Sequence, residues 1–169
     1  MNGDTEATIR GWGRDFSAAS SAGDGRLAAH SAQCLGCGPD NPHGHHLEVH
    51  REGDRVLARH SFDARHVGAP GVAHGGAVAA VLDDLGGFVL YVVGELGVTR
   101  NLSVDYYAPV RLHVPYQLSG WLDRREGRKL FLRMNGRDPE GRLAFSADAL
   151  FLVVSTDHFL EANAGNPTA

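Results

Sequence analysis

Between Gly75 and Gly94 the chain carries only two charged residues, Asp83 and Asp84, side by side in an otherwise apolar stretch. An ionised carboxylate in apolar surroundings costs several kcal/mol unless something partners it, so each acid needs a reason. One reason is chemistry: a desolvated carboxylate can act as a nucleophile or take a proton from water. The ordinary structural reason is that one or both cap an opposite charge or sit at a wet interface. Successive helical residues point about 100° apart, so the two acids cannot enter one pocket together. Nine positions before Asp83 stands His74, followed by Gly75 and Gly76. If a helix starts there, its first N–H groups are unpaired and carry partial positive charge, and the glycines let a ligand or another backbone come close. Such amides can hold a developing oxyanion. Equally, His74 can cap the helix while the glycines permit tight packing.

The two features constrain each other. Gly76 and Asp83 are seven residues apart, about 10 Å along a helix axis at the standard rise. One helix therefore cannot aim both its N-terminal amides and Asp83 at the same carbon. If both serve one reaction, the second must come from another copy of the chain, so a functional reading requires paired helices.

Other polar clusters carry less. Cys34-x-x-Cys37 followed by His43, His45 and His46 has zinc-ligand residue types. The spacing to the histidines is shorter than in a finger, and two of them are adjacent, so a tight Gly/Pro-rich turn is the better reading and no metal site is expected. His66 upstream of the candidate helix could pair with Asp83 or Asp84, as a hydratase or dehydratase would require. No spacing links His30, His50, His60, His113 and His158 to one another.

The elements that must position these groups follow from periodicity. Residues 75–95 are apolar all round, which predicts one long buried helix. Period-two alternation over 46–50 and 55–62 around Glu52-Gly53-Asp54 predicts a hairpin. Further strands are expected at 98–109, 116–124, 130–137 and 143–154. Turns separate the last three at Glu126-Gly127 and Asp138-Pro139-Glu140-Gly141. In the last strand Leu143, Phe145, Ala147, Ala149 and Phe151 point one way. Residues 12–33 hold scattered apolar groups (Trp12, Phe16, Leu27) that suggest a short helix or two. Residues 1–11 and 160–169 are expected to fray. The order is two strands, a buried helix and four strands, an α+β arrangement in which a curved sheet must cover the helix.

At 169 residues with 43% apolar and 21% charged residues, the chain suits one globular domain. A net charge of −4 gives no electrostatic footprint for nucleic acid. Residues 1–10 lack the apolar core of a signal peptide. The run 77–93 is broken by Asp83-Asp84 and Gly86-Gly87, so no membrane association is expected. Two cysteines make no disulfide framework, and a cytoplasmic protein is the expectation.

His74-Gly-Gly-Ala-Val-Ala-Ala-Val-Leu-Asp83 resembles the signature of hotdog-fold acyl-CoA thioesterases of the phenylacetic-acid-degradation type. TRNLSVDYYAP, residues 99–109, looks like that family's third strand, and CLGCGPDNPHG, residues 34–44, is similar to a leader many members carry. The resemblance covers about residues 34–154. It implies a hotdog fold, a six-stranded antiparallel sheet wrapped around one helix at about 75–95, within a domain spanning 34–158. Residues 1–33 would then be an N-terminal extension, partly helical or disordered, and 159–169 a flexible tail. It implies hydrolysis of acyl-CoA, with Asp83 as nucleophile or general base and Gly76, with Gly75, as oxyanion donor. His74 would orient the loop or thioester, and Thr99 would position the attacking water. Arg111 could meet coenzyme A phosphates, and Asn41 could reach the acyl pocket. No cofactor is implied beyond coenzyme A as part of the substrate. The implied partner is a second copy of the chain, as a dimer or tetramer. The alternatives are a hotdog dehydratase or hydratase acting on acyl thioesters and a non-catalytic acyl-CoA binder.

Overall fold

The computed structural model describes residues 3–164. In chain order these form α1 (Gly3–Ser21), β1 (Gly25–Arg26), β2 (Val49–Glu52), β3 (Arg55–Ser61), a single 3-10 turn (Ala64–His66), β4 (Val67–Ala69) and β5 (Val72–Ala73). Then follow α2 (Gly75–Val93), β6 (Gly97–Tyr106), β7 (Pro115–Glu126), β8 (Lys129–Arg137), β9 (Leu143–Val153) and α3 (Thr156–Asn163).

The apolar-all-round run becomes the core helix. Val78, Val81, Leu82, Leu85, Phe88 and Val89 of α2 are buried, and the helix packs on β2, β3, β6, β7 and β8. It begins where His74 caps it and ends where Gly94 takes a left-handed conformation, φ 76°, that a side chain would strain. By length and apolarity alone α2 could cross a membrane, with a mean hydropathy of 1.7. Its burial against the sheet explains that composition.

The sheet is antiparallel in the order β1-β2-β3-β7-β8-β9-β6. The Gly53-Asp54 turn joins β2 to β3, with Glu52 opposite Arg55, and Gly127-Arg128 joins β7 to β8, with Glu126 opposite Lys129. In β9, Phe145, Ala147, Ala149 and Phe151 are buried together, as their alternation requires, while Leu143 at the strand start is only half-buried. Asp138 braces the last turn by accepting from the Glu140 and Arg142 N–H groups at 3.0 and 2.9 Å.

The expected α+β arrangement is present, with three corrections. The sheet has seven strands rather than six. The extra one, β1, is two residues long and pairs Gly25 with Arg51. The predicted short helices and frayed start are one helix from Gly3 to Ser21, held because Ile9 and Phe16, seven residues apart, bury against the rest of the fold. Phe16 stacks on Tyr91 of α2 at 4.1 Å. Residues 159–163, placed in the expected tail, continue α3, where Phe159 packs edge-on against Trp12 at 5.1 Å. Residues 1–2 and 165–169, the remainder of the expected fraying ends, lie outside the described residues.

Candidate active site

Asp83 and Asp84 leave α2 in different directions, as neighbours on a helix must. Asp83 faces β6, where the Thr99 hydroxyl donates to its Oδ1 at 2.7 Å. With Asp84 and His30 they line a cavity of about 250 Å³. The two acids thus do share a pocket, against the expectation from helix geometry, because the cavity spans more than one face of α2. Its apolar wall is built from Leu90 of α2, Trp12 and Phe16 of α1, and Phe159 of α3. The wall residues from α1 and α3 were missed in the sequence as site residues. Their only trace was the spacing of Ile9, Trp12 and Phe16, which puts them on one helical face.

At the far end of α2, His74 is the N-cap, and its Nδ1 accepts from the Gly76 N–H at 2.9 Å. Gly76, expected as an oxyanion donor, thus has its amide held by the cap, and a carbonyl oxygen would use it only by displacing the imidazole. Gly75, the first residue of the helix, is exposed. Its carbonyl accepts from the Tyr106 hydroxyl at 2.6 Å, tying the helix start to the end of β6. Within the chain, Thr99 belongs with Asp83 at one end of β6, and His74, Gly75, Gly76 and Tyr106 cluster at the other.

Arg111 is exposed and bridges to Val72 beside the helix start; its N–H donates to the Tyr116 hydroxyl at 2.9 Å. Asn41 is separate from these groups. Its side chain donates to the Gln33 carbonyl at 3.1 Å and accepts from the His43 N–H at 3.0 Å, so it shapes a turn and does not line the Asp83 cavity. His66 does not pair with either helix acid. It is buried, its Nδ1 accepts from the Asp63 N–H at 3.1 Å, and its ring stacks on His45 at 4.2 Å. His60 completes this buried trio, 5.5 Å from His45. Burial, then the neighbouring positive groups, push His45 and His60 down to about 4.

Asp84 meets the segment after β1. Its Oδ1 lies 3.0 Å from His30 Nδ1 and accepts from the Cys34 thiol at 3.2 Å. Burial pushes the Asp84 carboxyl up against the opposing pull of His30. Burial disfavours the His30 cation, but hydrogen bonds to Asp84 and Cys34 outweigh it and lift its pKa to about 9. The sequence singles out Cys34 and Cys37 but offers no signal for their grouping with His30 and Asp84, because Asp84 is remote from them along the chain.

Residues 70–145 match the family model described as Thioesterase superfamily. This stretch is similar to that superfamily, over somewhat less than half of the chain. It contains His74, Gly75, Gly76, Asp83, Thr99 and Arg111 but neither α1 nor α3. The chain is 34% identical over 91 residues to acyl-coenzyme A thioesterase THEM4 of Rattus norvegicus, covering 53% of this chain and 39% of that one. It is 37% identical over 86 residues to the same-named protein of Bos taurus, covering 50% and 35%. The chain thus spans under two fifths of the length of these curated relatives. A solved thioesterase superfamily protein superposes with TM-score 0.65 at 30% identity, covering 68% of this chain and 57% of that one. A hypothetical thioesterase of Streptococcus pneumoniae, solved with coenzyme A, shares the fold of the thioesterase domain at TM-score 0.61 and 22% identity, covering 64% and 86%.

Proposed function

We propose that this protein hydrolyses acyl-CoA thioesters at a site built from two copies of the chain. The observation that carries the reading is the Thr99–Asp83 hydrogen bond of 2.7 Å beside an apolar cavity. It orients a half-buried carboxylate on the core helix next to space for an acyl group. Asp83 either takes a proton from water as that water attacks the thioester carbon, or attacks the carbon itself. In the first route the C–S bond breaks in the tetrahedral intermediate, the carboxylic acid forms, and the coenzyme A thiolate leaves and is protonated. The Thr99 oxygen, already donating to Asp83, retains lone pairs that can hold the water.

The need for a second copy follows from the separation of Asp83 and the helix N-terminus. β6 ends the sheet, so a ten-residue edge stands without a partner strand among the described residues. A long unpaired edge is a template for another strand. Two-fold antiparallel pairing of β6 with a second β6 would bring the Thr99–Asp83 end of one chain beside the partner's Gly75 and Gly76. The Tyr106 end also exposes apolar surface, with Tyr106 47% and Tyr107 58% accessible, which such a dimer would cover. Arg111, exposed near the helix start, would then be free to meet coenzyme A phosphates, a task guanidinium performs well. The fold relative solved with coenzyme A and the thioesterase relatives support this substrate class. The free thiols of Cys34 and Cys37 suit the reducing cytoplasm.

The test is thiol release from short, medium, long and aromatic acyl-CoAs, comparing wild type with Asp83→Asn. Release that falls by several orders of magnitude in a variant with unchanged sedimentation supports the reading. Near-normal release would remove Asp83 from the mechanism, and a monomeric wild type with full activity would remove the shared site.

A further inference from the structure

Asp84 borders the same cavity as Asp83 and Thr99 but has no task in this chemistry, yet it is one of two charges on the core helix. One short segment brings His30 Nδ1 and Cys34 Sγ onto its Oδ1, and Cys37 Sγ onto His30 Nδ1. The four ligand atoms all lie within 4.8 Å of one another. We propose that His30, Cys34, Cys37 and Asp84 form a tetrahedral zinc site that clamps the segment 30–37 onto α2.

The donor set supports this assignment. Two thiolates, an imidazole and a carboxylate make a mixed set of four that suits borderline-soft Zn²⁺ better than Mg²⁺ or Ca²⁺. The spacing also fits. Nδ1 of His30 is 3.0 Å from Asp84 Oδ1, Cys34 Sγ is 3.2 Å from the same oxygen, and Cys37 Sγ is 3.3 Å from Nδ1. Ordinary zinc bond lengths in a tetrahedron require ligand–ligand edges of about 3.4–3.8 Å. These three edges therefore need to open by only a few tenths of an ångström to admit the ion, and no pair in the cluster is farther apart than 4.8 Å.

Two further observations point to a ligand. The Asp84 side chain is 8% exposed, and its Oδ2 is buried without a hydrogen-bond partner, an arrangement that costs free energy unless something compensates the carboxylate. Gly36, between the two cysteines, packs so closely on Asp84 that a Cβ there would overlap the Asp84 carboxyl group. The loop is thus shaped to deliver both thiols to this acid.

The histidines that follow the cysteines in sequence are engaged elsewhere. His45 stacks in the buried trio, and His46 Nε2 bonds the Asn41 carbonyl at 2.7 Å. With four protein ligands the site is closed, so its role is structural. Binding requires the two thiols to release their protons, so affinity falls in acid. The site adjoins Asp83 on the rim of the same cavity and fixes the turn of α2 that carries it.

The experiment uses the whole protein purified under reducing conditions. Metal content is measured by mass spectrometry, and the chelator-stripped protein is reloaded with Co²⁺ for absorption spectroscopy. Expected are one zinc per chain, a lowered Tm after stripping, and a cobalt form with visible tetrahedral d–d bands and near-ultraviolet thiolate charge transfer. Zinc is lost when Cys34→Ser and Cys37→Ser are combined, is bound at least about tenfold more weakly in Asp84→Asn, and is retained in His43→Gln. The wild-type measurements decide the matter even if a variant misfolds. Failure of reduced wild type to take up zinc or cobalt overturns the proposal, as does a cobalt spectrum without thiolate charge transfer. None of these readouts depends on acyl-CoA turnover, so the site can fail while the proposed hydrolysis stands, and the reverse.

Discussion

Lowering the pH from 7 to 5 should weaken the fold through His60, by an amount that follows from its surroundings. The ring is 7% exposed, with His45, Phe62 and His66 around it, and its Nε2 is buried without a partner. Burial first, then the charges that His45 and His66 would carry, hold its pKa at about 4, against 6.5 in an open chain. The Asp63 carboxylate opposes this shift, and Arg65 reinforces it. Because the folded value is the lower one, the unfolded chain takes up the proton first as pH falls. Stability is therefore intact above the unfolded pKa and is lost progressively down to the folded one. Between pH 7 and pH 5 this linkage removes about 2 kcal/mol. The assay is urea denaturation at both pH values and one protein concentration, since self-association would tie stability to concentration. Wild type is compared with His60→Gln, which cannot titrate. Contributions from other groups are common to both proteins, so the loss on acidification should be about 2 kcal/mol smaller in the variant, whatever its starting stability. Equal losses would refute the claim that folding buries this histidine uncharged.

Three substitutions probe the proposed site directly. Thr99→Val removes the donor to Asp83 and should lower turnover by roughly tenfold to a hundredfold, the worth of a hydrogen bond to a charged group; unchanged kinetics would show that the hydroxyl does not orient the acid. His74→Ala removes the side-chain cap of α2 and should cost about 1 kcal/mol in thermal or chemical unfolding. Its activity should fall less than that of Asp83→Asn, and the opposite order would move the chemistry to the histidine. Phe16→Ala deletes the ring stacked on Tyr91 and part of the cavity wall. It should cost about 3 kcal/mol and shift acyl preference toward bulkier groups, and an unaltered preference on the acyl-CoA panel would separate this cavity from the acyl site.

What could be seen in the sequence follows from how local each signal is. The core helix was expected at 75–95 and runs Gly75–Val93, because a buried helix is marked by its own residues and stopped by its own glycine. Strands β7 to β9 are visible because each buries one face and closes on the next through a short turn, whereas β6 is marked by its alternation alone and pairs with the distant β9. Helix α1 was hidden: it carries Gly11, Gly13 and a run of serines, poor helix formers, and is held by Phe16 and Trp12 reaching α2 and α3. Strand β1 is two residues long and exists only as an extension of β2. The Asp83–Thr99 pairing was suggested by family resemblance, and the structure supplied its geometry. The grouping of His30 and Cys34 with Asp84 was invisible, since its fourth member arrives from α2 across 50 residues of chain. Reading the cysteines with the nearest downstream histidines looked along the sequence for a partner that packing supplies.

Part of the wall of the Asp83 cavity has a different origin along the chain from Asp83 and Thr99. Asp83 and Thr99 lie within the residues that match the thioesterase model, whereas Trp12, Phe16 and Phe159 belong to the two end segments outside it. On the proposed function, the residues that react and much of the surface that would judge acyl size come from separate segments of the chain. Recombining or exchanging the end helices among homologous domains would give a set of enzymes with one reaction and many appetites. The same layout carries a practical warning. On the proposed function, a truncation that removes Trp12 and Phe16 would alter selectivity while leaving Asp83 and Thr99 in place.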